Sequence, residues 1–126
     1  MSKKRGRAPE KRLLVTDRSL SDIAVIEQYS VKQWGDKTAA KYIAQIEDSL
    51  ALIQVNSKLL RKEAGLHPFM QFYTVNRHVL IFDVDDRDII LLTVLHGSMD
   101  IPSRLAELEP ALATESEMLH RRLRGK

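Results

Sequence analysis

The chain has 126 residues, no cysteine, 44% hydrophobic residues and a formal net charge of +3. That length suits one globular domain with a single modest core, and the lack of cysteine excludes both a disulfide framework and a thiolate metal site. No apolar stretch approaches the roughly 20 residues of a membrane helix, and the basic N-terminus lacks the apolar run of a signal peptide. The expectation is a cytoplasmic protein without membrane contact.

The charge is uneven. Residues 1–14 carry Lys3, Lys4, Arg5, Arg7, Lys11 and Arg12 against Glu10, a net of +5. Residues 115–126 carry +2, which leaves the body between them at −4. The basic character sits in the tails, where it reads as solubilising ends or as arms for nonspecific nucleic-acid contact.

Met1 to Glu10 hold charge, Gly6 and Pro9 without an apolar pattern, which predicts disorder. Leu13 to Thr16 is a short strand candidate closed by Asp17-Arg18. Ser19 then looks like a helix N-cap, with Asp22 in a capping-box position. Ile23, Ile26, Ser30 and Trp34 share one face of that helix, and Gly35 ends it. Asp36 is placed to cap a second helix, whose apolar positions Ala39, Ile43, Ile46, Leu50 and Ile53 repeat at spacings of four and three. The short Gly35-Asp36 connection permits only a helical hairpin. A polar stretch broken by Gly65 and Pro68 leads to three strand candidates, Phe69–Val75, His78–Val84 and Ile89–Leu95. The tight turns Asn76-Arg77 and Asp85-Asp86-Arg87 imply an antiparallel meander. The third run is apolar on both faces and should lie centrally, covered on both sides.

Ile101 to Leu108 predicts a short helix with Pro102 in its first turn and Pro110 as its breaker. Ala111 to Leu123 has helical propensity and a weak apolar face. The fold class is therefore α+β: an N-terminal strand, an α-helical hairpin, an antiparallel three-stranded meander and a short C-terminal helix. The expected organisation is a disordered basic tail (1–12), one domain (13–109) and an extension, helical or disordered (110–126).

Enzymatic signatures are sparse. There is no glycine-rich phosphate loop, HExxH or GxSxG. The four histidines, His67, His78, His96 and His120, show no i, i+4 pair, so neither a metal nor another cofactor is expected. Asp83, Asp85, Asp86 and Asp88 cross a tight turn without the rest of a calcium loop, and read as a solvated hairpin. The conspicuous segment is Leu95-His96-Gly97-Ser98-Met99-Asp100, where a titratable ring, a glycine and an acid close the most apolar strand.

The order of elements, the helical hairpin around Trp34-Gly35 with Ala39-Ala40-Lys41-Tyr42, and the strand exit Val94 to Asp100 together resemble the RelE/ParE toxin superfamily. The exit, followed by Arg104-Leu105, is similar to its ParE branch. The resemblance covers Leu13 to Leu108. It implies a bacterial type II toxin–antitoxin system with roles in growth arrest and plasmid stabilisation. A ParE-like toxin poisons DNA gyrase and is neutralised by a cognate antitoxin; a RelE-like one cuts messenger RNA on the ribosome without a metal. The latter needs an acid–base group near the 2′-hydroxyl and cations on the phosphate. Here the second strand offers Arg77 with His78 beside it, and where the RNA-cutting branch carries an arginine this chain has His78 or Val79. An acidic body is a poor ligand for ribosomal RNA. The expectation is thus a gyrase inhibitor without catalytic residues. Its alternatives are an endoribonuclease using His96 and Arg77, or a non-toxic, repurposed binding module.

Candidate residues for target or antitoxin binding are Trp34, His96, Met99 and Asp100. Each has a plainer reading. Trp34 could anchor the core, His96 could donate to a backbone carbonyl, Met99 could pack back on the core, and Asp100 could cap the helix at Ile101.

Overall fold

The computed structural model describes residues 11–62 and 68–124; the tail predicted to be disordered (1–10), the breaker Gly65 and His67 lie outside the described residues. The chain forms β1 (Arg12–Val15), α1 (Asp17–Trp34), α2 (Asp36–Val55), a 3-10 turn (Ser57–Leu59), β2 (Met70–Val75), β3 (His78–Val84), β4 (Asp88–His96) and α3 (Ile101–Arg124). The sheet order is β1-β4-β3-β2, with β1 parallel to β4 and the other pairs antiparallel. Among the described residues no helix is long and apolar enough to cross a membrane.

The apolar run of β4 is explained by its place. It is flanked by β1 and β3, and every residue from Asp88 to Leu95 is buried. One face of the sheet packs Leu80, Phe82, Ile89 and Leu91 against Ile26, Ile46, Leu50 and Ile53 of the helical hairpin. The other packs Ile81, Ile90, Leu92 and Leu95 against Leu105, Leu108 and Leu112 of α3. The seam of α2 matches the predicted spacing, with Ala39, Ile46, Leu50 and Ile53 buried. Gly35 joins the two helices at φ +90°, a conformation that residues with a Cβ adopt only under strain.

The face alternation of β4 breaks once. Ile81 pairs with Thr93 while Phe82 pairs with Leu91, so Leu92 is an extra residue. Such a β-bulge reverses the inside–outside phase beyond it. Ile89 and Leu91 face the helical hairpin before the bulge, and Val94 does so after it. His96 thereby turns to the same face as its cross-strand partner His78.

The helix starts differ from expectation. Thr16, not Ser19, caps α1: its hydroxyl accepts the Ser19 backbone N–H at 3.1 Å. The same Thr16 hydroxyl and that of Ser19 also serve the bulge, donating to the carbonyls of Leu92 (3.1 Å) and Leu91 (2.7 Å). Asp22, one turn on, accepts from Thr93 Oγ1 at 2.6 Å and from the Val94 backbone N–H at 3.0 Å. Asp36 is the first residue of α2 rather than its cap, and favours the helix through the dipole.

Two further expectations are corrected. Pro110 does not end the last helix, which is long: α3 runs 24 residues straight through it. Pro110 and Ala106, whose carbonyl loses its usual donor, are both exposed. A proline inside a helix costs about 3 kcal/mol, and burial of Leu105, Leu108 and Leu112, at about 1.5–3 kcal/mol each, outweighs it. The segment 110–124 is therefore a structural layer of the domain. The aspartates of the β3–β4 turn are not all solvated either: Asp88 is buried, and its Oδ1 accepts from Arg12 Nε at 2.8 Å.

Candidate functional site

At the open end of the helical-hairpin face lies a groove of about 610 Å³. One wall is α1, whose Val25, Tyr29 and Trp34 are large, apolar and exposed. The opposite wall is the sheet, which presents Arg77, His78 and His96. The walls meet through Arg77, whose guanidinium carbon lies 5.9 Å from the centre of the Trp34 ring, and Tyr29 packs edge-on to Trp34 at 5.9 Å. Apolar side chains left in water on a concave surface are the usual mark of a binding site.

The polar side of the groove is a connected set. The His78 and His96 rings stand perpendicular, their centroids 5.2 Å apart. Tyr42 of α2 hydrogen-bonds His78 Nδ1 and lies 3.2 Å from the Val75 carbonyl. Burial pushes the Tyr42 phenol up. Burial, seconded by His96 and Arg77, pulls His78 below the ordinary histidine range, so its ring is neutral at pH 7. His96 is exposed, and its Nδ1 accepts from the Ser98 backbone N–H at 3.0 Å and lies 2.7 Å from Ser98 Oγ. Accepting from a backbone N–H fixes the lone pair on Nδ1 and leaves Nε2 as the protonated nitrogen of the neutral ring. The plain reading of His96 as donor to a backbone carbonyl is therefore replaced: the ring accepts.

Gly97 is required by proximity. Its N–H donates to the Arg77 carbonyl at 2.7 Å, and a Cβ here would sit 3.2 Å from that oxygen. The glycine thus lets the strand exit close against the β2–β3 turn and holds Arg77 at the groove.

Of the residues proposed from sequence, the structure brings Trp34, Arg77 and His96 to one groove. Trp34 is half-exposed there, not a core anchor. Met99 is exposed and does not pack back on the core, and it lies outside the groove lining. Asp100 caps α3, accepting from Ser103 Oγ at 2.8 Å and from the Ser103 backbone N–H at 3.4 Å. Sequence reasoning did not place Val25, Tyr29 or Tyr42 at the site. The exposed Val25 and Tyr29 at i, i+4 on α1 were a legible signal. The facing of His78 and His96 depends on the bulge and was not.

A family model described as the ParE toxin of the parDE type II toxin–antitoxin system matches residues 13–101. The chain is 23% identical to "Toxin ParE" of Escherichia coli over 95 residues, covering 75% of this chain and 92% of that protein. Its fold is similar to a solved structure titled "Chromosomal ParDE TA system from P. aeruginosa", with a TM-score of 0.62 at 18% identity over 69% of this chain and 96% of that one.

Proposed function

The chain belongs to the ParE toxin family of type II toxin–antitoxin systems, and on that premise we propose that it poisons DNA gyrase by binding and is neutralised by a cognate antitoxin. The observation that carries this reading is the wall of exposed Val25, Tyr29 and Trp34 on the groove. Aromatic anchors in a concave site serve protein partners. A polyanionic RNA would call for several fixed cations, whereas the groove lining holds Arg77 beside two histidines, of which His78 is neutral. In this account the lethal chemistry belongs to the target, which is held with its DNA cleaved. The protein itself needs no cofactor, and its working place is the cytoplasm. An antitoxin segment that folds on binding would cover the same groove or add to the sheet edge. Purified protein mixed with gyrase and supercoiled plasmid should accumulate double-strand breaks, and Trp34→Ala should suppress them.

One observation favours a second reading. Tyr42, Arg77, His78 and His96 converge on one surface, which supplies acid–base groups and a phosphate contact for RNA cleavage. In that case His96→Ala abolishes message cleavage on ribosomes. Toxicity that survives this change without any cleavage removes the nuclease reading. Expression of soluble, folded protein without growth arrest would instead favour a repurposed binding module.

A further inference from the structure

The two basic segments of the sequence meet at the end of the molecule remote from the groove. Lys11 Nζ donates to the Asp85 backbone carbonyl at 2.6 Å, and the Arg12 backbone N–H donates to the Arg87 carbonyl at 2.9 Å. Residues 1–10 are therefore joined to the domain at the β3–β4 turn. The far half of α3 reaches the same turn: Ser116 donates to Asp83, and His120 Nδ1 lies 3.5 Å from Asp85 Oδ2. Arg121, Arg122 and Arg124 follow within about 6 Å along the helix axis. Asp85 is thus approached from both segments. From this turn β4 runs to His96 in the groove, a span of about 26 Å at roughly 3.3 Å per residue.

The turn brings four carboxylates to this end, and the fold directs three of them inward. Asp88 is buried against Arg12, Asp83 is held by Ser116, and Asp85 Oδ1 accepts the backbone N–H groups of Arg87 (2.8 Å) and Asp88 (2.7 Å). Asp86 alone of the four is exposed, whereas Arg12, Arg87, Arg121 and Arg122 are all exposed. Arg121 pairs with Glu117 at 3.1 Å, but both side chains stand in solvent, where such a pair holds a cation weakly. Residues 1–14, at a net of +5, add to this surface, while the body carries −4. Clustered Lys and Arg on one side of an otherwise acidic molecule fit a polyanion. Duplex DNA carries one negative charge per roughly 1.7 Å of its axis, and such clusters bind it by releasing its counterions. Residues 1–12 hold no aromatic side chain on which single-stranded bases would stack. Between Ser2 and Arg12 the apolar residues are Ala8 and Pro9, too few to enter a lipid bilayer.

We propose that residues 1–12 and the end of α3 form one basic pole that holds duplex DNA by its phosphates, without reading sequence, and leaves the groove free for a protein partner. The pole acts without gyrase, so its test contains none. The full chain without a purification tag is titrated into a fluorescein-labelled duplex of about 12 base pairs, followed by anisotropy between about 50 and 200 mM salt. Binding indifferent to sequence is expected, with a dissociation constant of about 10⁻⁴–10⁻⁶ M at physiological salt and a steep loss as salt rises. At about 0.9 per phosphate contact, Lys3→Gln/Lys4→Gln/Arg5→Gln/Arg7→Gln should flatten the log–log salt slope by up to about 3.6, and Arg121→Gln/Arg122→Gln by up to about 1.8. Both variants should act on the same short duplex because the segments share one pole; an effect of one variant alone overturns the proposal. Lys37→Gln/Lys41→Gln, exposed positions at the groove end of α2, should bind as the parent does. Circular dichroism reports whether each variant folds; should the α3 variant fail, Arg122→Gln takes its place. No binding at low salt, a weakening in the Lys37/Lys41 variant, or tighter binding of a single strand, an RNA duplex or phosphatidylserine vesicles also overturns the proposal. Gyrase-dependent DNA breaks without DNA binding by the protein alone would remove the basic pole and leave the gyrase reading standing.

Discussion

Gly97 and Gly35 are both fixed by the backbone, for opposite reasons. At Gly97 the obstacle is the Arg77 carbonyl oxygen, 3.2 Å from where a Cβ would sit. At Gly35 there is open space, and the obstacle is φ +90°. Gly97→Ala should therefore cost about 1–3 kcal/mol through overpacking and displace Arg77 from the groove. Gly35→Ala should cost about 1–2 kcal/mol through backbone strain and leave the groove side chains in place. Urea denaturation measures both costs, and the indole fluorescence of Trp34, which Arg77 covers, reports the displacement. His78 adds a pH dependence whose sign follows from burial. Its folded pKa is lowered, so the unfolded chain takes up the proton more readily. Its contribution to stability is complete above the unfolded value of about 6.5 and is lost as pH falls below it. Denaturation at pH 7.5 and 5.5 should show a loss at the lower pH that shrinks in His78→Gln.

At the scale of elements, the central feature is the brace between α1 and the bulge of β4. Asp22 satisfies Thr93 Oγ1 and the Val94 N–H with one carboxylate oxygen. Asp22→Ala leaves both donors without it and should cost about 1–3 kcal/mol. It should also change the NMR signals of His78 and His96, because the bulge sets which way His96 faces. Residues of a capping-box type in the sequence, Ser19 and Asp22, thus carry a tertiary role. The hairpin seam and the meander followed from periodicity and turn residues, and the central place of β4 from its double-sided apolar run, whereas the parallel pairing of β1 with β4 came only with the structure. The bulge was hidden because Leu91, Leu92, Thr93 and Val94 carry no glycine or charge to mark the extra residue. Pro110 misled for a different reason: its local cost is real, and it is overcome by contacts made far along the chain. Leu112, fully buried beyond that proline, tests this. Leu112→Ala should destabilise the whole domain by about 2–5 kcal/mol, whereas a detached extension would leave the unfolding midpoint unchanged.

For the whole molecule, the two faces of the sheet have separate tasks. The α3 face is closed by apolar packing, with Arg18 and Glu115 paired at 3.3 Å to tie α3 to α1. The hairpin face is left open at one end, where aromatic side chains stand in water. The groove was only half legible in the sequence. Trp34, Arg77 and His96 could be named singly, but their meeting depends on the hairpin angle, the bulge and the close approach at Gly97. Trp34→Ala should leave stability within about 0.5 kcal/mol of the parent. It should weaken partner binding by about 2 kcal/mol or more if this ring is an anchor. The most direct measurement is gyrase-mediated DNA cleavage in the presence of the purified protein. Double-strand breaks that rise with its concentration, require gyrase and fall away with Trp34→Ala are the predicted result. Undiminished supercoiling without cleavage, at an excess of folded protein, would contradict it.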